Sequence, residues 1–404
     1  MRKVLALGIL LLGTVAPPAA AQLSNDKVKI GVLTDMSSLY ADINGPGAVA
    51  ATELAISEFG GSVLGKKIEM VVADVQNKAD VAAAIAGRWY DAEEVDTILG
   101  AGGSASSISA SNVAAARKHI FFATDPASSD ITGKLCNAYT VHWVYDTIAL
   151  ANGTGSAVVK AGGKTWYFIT ADYAFGHALE RDVSAIVTAN GGKVLGSVRH
   201  PLNTSDFSSF VLQAQASKAQ IIGLANAGGD TINSIKQAAE FGVVKGGQKL
   251  AGLLVFITDV HSLGLELTQG LQLTEAFYWD RNDASRAFAK RFAAKMNGKM
   301  PTSIQAGFYT ATKHYLNMVK ELGTDDADKV MAKMKSSPAD EPLFGKSVIR
   351  ADGRKVHDMY LFEVKKPSES KGPYDYYKLV DTIPGDKAFR PMDQGGCPLV
   401  AKKQ

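Results

Sequence analysis

Gly100-Ala101-Gly102-Gly103-Ser104-Ala105-Ser106-Ser107 is the segment of this chain best suited to holding a ligand. It follows a stretch that reads as a strand and opens one that reads as a helix. Small residues such as Gly103 and Ala105 let ligand atoms approach the backbone. A helix N-terminus there presents unpaired N–H groups and partial positive charge, and Ser104 adds a hydroxyl, so a carboxylate or a phosphate is a fitting occupant. A tight turn into a helix with nothing bound uses the same residues. The spacing is not the dinucleotide fingerprint, and no Gly-Lys-Ser/Thr follows, so neither a Rossmann cofactor nor a nucleoside triphosphate is supported. Thr124-Asp125-Pro126-Ala127-Ser128-Ser129 follows the next strand-like run. Ser128 and Ser129 either donate to the same ligand or cap a turn.

The second half offers Asp172, Tyr173 and Phe175, then Asn226-Ala227-Gly228-Gly229, then Thr258-Asp259. Each group stands past the carboxyl end of a strand-like run, the edge where ligands bind in open α/β sheets. Asp259 is the best candidate to meet a ligand cation, with a helix N-cap as its other reading. Enzyme chemistry finds little support. Gly-x-Ser-x-Gly is absent, and none of the seven histidines pairs at metalloprotease spacing with a glutamate. The acidic pairs Glu93-Glu94 and Asp325-Asp326 lie in polar stretches that suit solvated surface. Two cysteines without a His-x-Cys or Cys-x-x-Cys spacing make no zinc site. The expectation is a binding protein with no catalytic set, no metal and no cofactor.

The elements that must position these residues alternate regularly. Val28–Met36, Lys67–Val75, Thr97–Ala101 and Ile120–Thr124 read as strands. Between them lie helices over Ala48–Glu58, over Ala79–Ala92 behind Asn77 as cap, and over Ser104–Arg117. The pattern restarts with a helix over Ile148–Ala161. Strands follow over Thr165–Ala171, Lys193–His200, Ala219–Ala225 and Leu250–Thr258, with helices over Gly176–Ala189, Phe207–Ala216 behind Ser205 as cap, and Asp230–Phe241. Strand-helix alternation with short connections implies parallel sheets covered by helices on both faces. Gln272–Trp279 is a further strand-like run, followed by helices over Ser285–Met296, Ile304–Leu322 and Ala327–Met334. Met359–Val364 and Tyr376–Val380 read as antiparallel edge strands around a polar Lys365–Pro373 loop.

The first residues set the compartment. Arg2 and Lys3, the uncharged run Val4–Val15 and the small residues Ala19-Ala20-Ala21 have the order of a secretory signal peptide over residues 1–21, cleaved near Ala21. The apolar run is too short to span a bilayer, and no other stretch is long and apolar enough. The mature chain is expected to work in the periplasm. Without the leader, 41 basic residues face 40 acidic ones, which leaves no positive excess to hold a nucleic acid. About 380 residues exceed one ordinary core, so two domains are expected. Cys136 and Cys397 are the two cysteines; in an exported chain an even count suggests one disulfide, with two buried free thiols as the alternative.

Together, KIGVLTDMSSLYADINGPGAVAATELAI, GAGGSASS, ATDPASSDIT, TADYAFGHALERD and NTSDFSSFVLQAQASKAQIIGLANAGGDT resemble the periplasmic solute-binding proteins of the branched-chain amino acid class of ABC importers. The resemblance covers essentially the whole mature chain. It implies the type I periplasmic binding fold: two doubly wound α/β lobes joined by three crossovers near His142–Asp146, Phe277–Asp280 and Pro338–Gly345. The lobes would be 22–141 with 281–340, and 142–280 with 341–404. By the same resemblance, a ligand carboxylate is held at Ser104 and at Ala127-Ser128, Tyr40 covers the ligand, and Tyr173, Asn226-Ala227 and Asp259 close over it. Asp259 only approximately matches the acid that meets an ammonium in amino-acid binders, and similar proteins also bind aromatic acids. The implied partners are a small carboxylate and a membrane permease, with the chain a monomer. A periplasmic sensor that hands its closed form to a signalling receptor is the alternative.

Overall fold

The computed structural model describes residues 23–400. The predicted signal peptide lies outside the described residues. Strands β1 (Lys27–Thr34), β2 (Ser62–Val63), β3 (Lys66–Asp74), β4 (Thr97–Gly100), β5 (Ile120–Ala123) and β6 (Thr140–His142) form one sheet in the order β2-β3-β1-β4-β5-β6. Only the β2–β3 pair is antiparallel. From Ile30 onward β1 is buried on both faces, as its apolar run Ile30–Leu33 requires. Gly31 is needed in it, because a Cβ there would stand 2.6 Å from the Trp89 ring.

Helices α1 (Gly45–Phe59), α2 (Ala79–Asp91) and α3 (Ser104–Ala116) cover this sheet. α1 starts with Pro46 in its first turn and stops at Gly60, a left-handed cap. The second unit begins with α4 (Thr147–Leu150) and α5 (Ser156–Lys160), joined by a π-turn over Ala151–Gly155. A parallel sheet follows, in the order β10-β9-β7-β8, from β7 (Thr165–Ala171), β8 (Lys193–His200), β9 (Ile221–Ala225) and β10 (Lys249–Gly252). Its helices are α6 (Ala174–Ala189), α7 (Ser208–Ala216), α8 (Gly229–Glu240), α9 (Ile257–Leu263) and α10 (Leu265–Thr268).

The chain then makes β11 (Gln272–Glu275) and three long helices, α11 (Asp283–Lys295), α12 (Ser303–Leu322) and α13 (Ala327–Ser336). These helices return to the first unit despite their late position. Arg291 of α11 pairs with Glu58 of α1 at 2.6 Å, and the Tyr309 hydroxyl of α12 donates to the same carboxylate at 2.5 Å. Thr302 and Gln305 form a reciprocal capping box at the start of α12. β12 (Val348–Ile349) and β13 (Lys355–Val356) pair as a small ribbon, and β14 (Met359–Val364) and β15 (Tyr377–Ile383) join β11 in an antiparallel sheet.

Cys136 and Cys397 are disulfide-bonded, 261 residues apart. The chain-entropy account assigns roughly 4–5 kcal/mol to so long a closed loop. The same tail is held by Arg390, whose guanidinium donates to the Ser129 carbonyl at 2.6 Å.

Several local expectations need correction. Asn77 does not cap α2: it has a left-handed backbone (φ 51°), and Lys78 is the N-cap. Ser205 does not cap α7, whose N-cap is Phe207. The predicted Leu250–Thr258 strand stops at Gly252, and its remainder is buried loop and the start of α9. A buried apolar run has no periodicity by which to separate these states. Similarly, Gln272–Trp279 keeps strand pairing only to Glu275, and it pairs with β14 rather than with the parallel sheet. The single helix expected over Ile148–Ala161 contains the π-turn, where a Cβ on Gly153 would stand 2.1 Å from Thr274 Oγ1.

Candidate functional site

The end of β4 aims α3 at the space between the two sheets. Gly100, Ala101 and Gly102 have φ of 105°, 80° and 77°, three successive left-handed residues. Glycine adopts this freely, whereas the alanine among them is strained. The loop is clamped from beneath by Asp125. Its Oδ2 accepts from the Gly102 N–H at 2.5 Å and from Thr34 Oγ1 at 3.0 Å. Burial pushes the Asp125 carboxyl up to about 7.

Ser104 is the first residue of α3 and is buried. Its Oγ accepts the Ser128 N–H at 3.1 Å. That bond uses a lone pair and leaves the hydroxyl proton to donate into the cavity. The first backbone N–H groups of α3, at Ser104 and Ala105, have no intrahelical acceptor. Hydroxyl, N–H groups and helix dipole therefore converge on one place suited to an anion.

A narrow cavity lies at that point. Gly102, Gly103, Ser104, Asp125, Pro126 and Ala127 form one wall. The remainder is mostly aromatic and aliphatic: Tyr40, Ile43, Tyr145, Leu254, Phe256 and Ile304. Tyr173, Phe175 and Ala227 complete it, with Asn44 at its edge. Asp125 is its one lining acid among the described residues.

Tyr40 is set by its own loop. Asp35 accepts from the Ser38 N–H at 2.9 Å and the Tyr40 N–H at 3.0 Å, folding Asp35–Tyr40 back on itself. The Tyr40 hydroxyl then meets the Tyr173 hydroxyl, which comes from the other sheet at the N-cap of α6. Burial raises both phenols well above their ordinary value, so both stay protonated. The Tyr145 hydroxyl donates to the Asp125 carbonyl at 3.0 Å. Gly228 lies against Leu39 of the opposite unit, where a Cβ would stand 2.6 Å from the Leu39 carbonyl oxygen. The cleft is closed in this conformation.

Of the residues singled out in the sequence, Tyr40, Gly103, Ser104, Ala127, Tyr173, Phe175 and Ala227 are brought together around the cavity. Ala105, Ser128, Asn226 and Asp259 are not among its lining. Ala105 is one residue further into α3, where it offers only its N–H to the anion place. Ser128 caps the short turn Ser129–Thr132 and holds Ser104 by its backbone. Asn226 is fully occupied below the surface: its amide donates to Ser234 Oγ and to His200 Nε2, both at 3.2 Å, and its Oδ1 accepts from Thr231 at 2.8 Å. Asp259 is the third residue of α9, whose N-cap is Phe256; its carboxyl reaches back to take the Phe256 N–H at 2.9 Å, and it lies in a neighbouring crevice with Ser38, Asp42 and Asp230. Its carboxyl is pushed up to about 7 by burial. Asp259 is therefore neither in the cavity lining nor the N-cap of α9; it braces the helix start from the third position.

Sequence reasoning missed Asn44, Asp125, Tyr145, Leu254, Phe256 and Ile304. Asn44 and Asp125 stand inside motifs that drew notice for other residues. Tyr145 lies in an expected crossover. Leu254 and Phe256 were assigned to a strand interior, and Ile304 reaches the cavity from a helix with no local signal. No cluster of three or more metal-ligating side chains occurs among the described residues.

Comparison with known proteins adds a family. The model for the periplasmic binding protein family matches residues 27–372. A crystal structure of a Burkholderia mallei periplasmic binding protein is 57% identical, covers 93% of this chain and 99% of its own, and superposes with a TM-score of 0.90. A branched chain amino acid ABC transporter periplasmic ligand-binding protein from Burkholderia xenovorans LB400 is 42% identical over 92% of this chain and 99% of its own, with a TM-score of 0.82. A solute-binding protein of an ABC transporter from Rhodopseudomonas palustris BisB5, solved with 3,4-dihydroxybenzoic acid, shares the fold at 23% identity, 89% and 98% coverage and a TM-score of 0.80.

Proposed function

We infer the function from one premise: the chain belongs to the periplasmic binding protein family. It is the substrate-binding component of an ABC importer and works in the periplasm. No helix among the described residues is long and apolar enough to cross a membrane. Residues 22–141 with 281–340 act as one lobe, and residues 142–280 with 341–404 as the other.

The ligand is a small acid with an apolar, preferentially aromatic, body. The observation that carries this is the free Ser104 O–H beside the α3 N-terminus, facing walls of tyrosine, phenylalanine, leucine and isoleucine. Leu254 and Phe256, at the end of the β10 connection, present apolar side chains and no acid to the cavity. Asp259 is turned back on its own helix. A Rhodopseudomonas palustris relative of the same fold carries an aromatic acid, consistent with this chemistry.

The mechanism follows from closure. Ser104 and the α3 N–H groups hold the carboxylate from one lobe, while Tyr173, Phe175 and Ala227 cover the body from the other. Only the closed state makes both sets of contacts, so the ligand favours it by its differential affinity. The closed form then docks on the permease subunits and releases its cargo. A thermal-shift series tests the assignment: benzoate and hydroxybenzoates are expected to raise the melting temperature, leucine much less. A shift with leucine and none with any aromatic acid would reverse it.

A further inference from the structure

We propose that Asn44 is a specificity residue that reads a hydrogen-bond donor, a hydroxyl or an ammonium, carried by the ligand near its carboxylate. The proposal rests on the carboxylate reading of the same cavity. Asn44 is the N-cap of α1. At that position the side-chain oxygen ordinarily accepts a backbone N–H two or three residues on. Here no such bond forms. One of the two usual donors is missing, since Pro46 has no N–H.

The amide is turned elsewhere. Nδ2 donates to the Gly102 carbonyl at 3.3 Å, which fixes which way the group faces. Oδ1 is buried and has no partner. The residue is 1% exposed and lines the cavity. Its backbone is anchored: the N–H donates to the Tyr40 carbonyl at 3.1 Å, and the carbonyl accepts from Ala48 N–H at 2.9 Å and from Gln305 Nε2 at 3.3 Å. The oxygen is thus a placed acceptor, not a wandering one. A buried amide oxygen with no donor is unfavourable, and an occupant that brings an O–H or N–H removes that cost. The Nδ2 bond to Gly102 ties the amide to the loop that ends two residues later at Ser104, so Asn44 and the anion place share one wall of the cavity. We accordingly place the donor on the carboxylate side of the ligand, next to the wall that Asn44 shares with Ser104.

Phenylacetate, mandelate and phenylglycine test this, because they differ at one position: hydrogen, hydroxyl or ammonium beside the same carboxylate. Calorimetry on the wild type should show mandelate or phenylglycine binding about tenfold or more tighter than phenylacetate, and the stronger of the two identifies the donor. Asn44→Leu should reduce that preference below about threefold, read as the ratio of analogue to phenylacetate affinity on the same variant. Wild-type protein that binds phenylacetate as tightly as both analogues overturns the proposal. So does Asn44→Leu protein that retains the full preference. Melting curves establish folding, and Asn44→Ala is scored the same way if the leucine variant does not fold. Mandelamide separates the two readings: if it binds as well as mandelate, the carboxylate clamp falls, while the mandelate–phenylacetate comparison still judges Asn44.

Discussion

The loop that opens α3 and the loops that follow β9 and β10 sit at the same end of their sheets, with similar small and polar residues. They use them in opposite ways. On the α3 side, polar groups below the surface brace one another so that donors above stay available: Ser128 N–H and Asp125 hold the loop, and the Ser104 O–H is left for a ligand. On the other side, Asn226 and Asp259 bond to their own surroundings, and what faces the cavity is Ala227, Leu254 and Phe256. One wall recognises charge and the other covers apolar surface. The difference lies in which partner each polar atom has, not in residue type.

Substitutions at the two walls should separate stability from affinity. The largest effect is expected from Asn226→Ala, which strips partners from the buried His200, Thr231 and Ser234. Unfolding free energy should fall by about 3 kcal/mol, read by chemical denaturation, with ligand affinity changed far less. A large affinity loss at unchanged stability would make Asn226 a ligand contact after all. Ser104→Ala is the mirror case, expected to weaken carboxylate binding by about 1–3 kcal/mol in calorimetry. Unchanged affinity would remove Ser104 from the clamp.

Asp125 gives a smaller, pH-dependent effect. Its carboxyl is raised to about 7 by burial and is faced by the Thr34 and Thr124 hydroxyls, the Gly102 N–H and Asn44, with the protonated Tyr145 phenol close enough to feel its charge. Below that value it is neutral; above it a negative charge stands beside the bound carboxylate. Affinity for a simple acid should therefore fall by roughly threefold to tenfold from pH 6 to pH 8, and Asp125→Asn should flatten the profile. A ligand carrying an ammonium would reverse the slope. The least effect on binding is expected from Asp259→Asn, which keeps an acceptor for the Phe256 N–H and should alter affinity by under about 0.5 kcal/mol. Because the folded carboxyl of Asp259 titrates near 7, above its unfolded value, the native acid loses stability as pH rises from about 4 to 7. The asparagine variant should lack that loss in melting curves recorded across the range.

The alternation of apolar strands and helices, the glycines of the α3 loop and the resemblance carried by five motifs were enough to read two α/β units, their order and one wall of the cavity. These are local properties: periodicity, turn chemistry and helix ends are written in neighbouring residues. Partnership was not. Whether Asn226 faces a ligand or its own surroundings depends on a residue that only packing brings near, His200. Ile304 and Asn44 reach one cavity from positions 260 residues apart in the chain, and no window of sequence contains both. The tertiary structure decided which polar atoms are satisfied from within and which are left for a ligand.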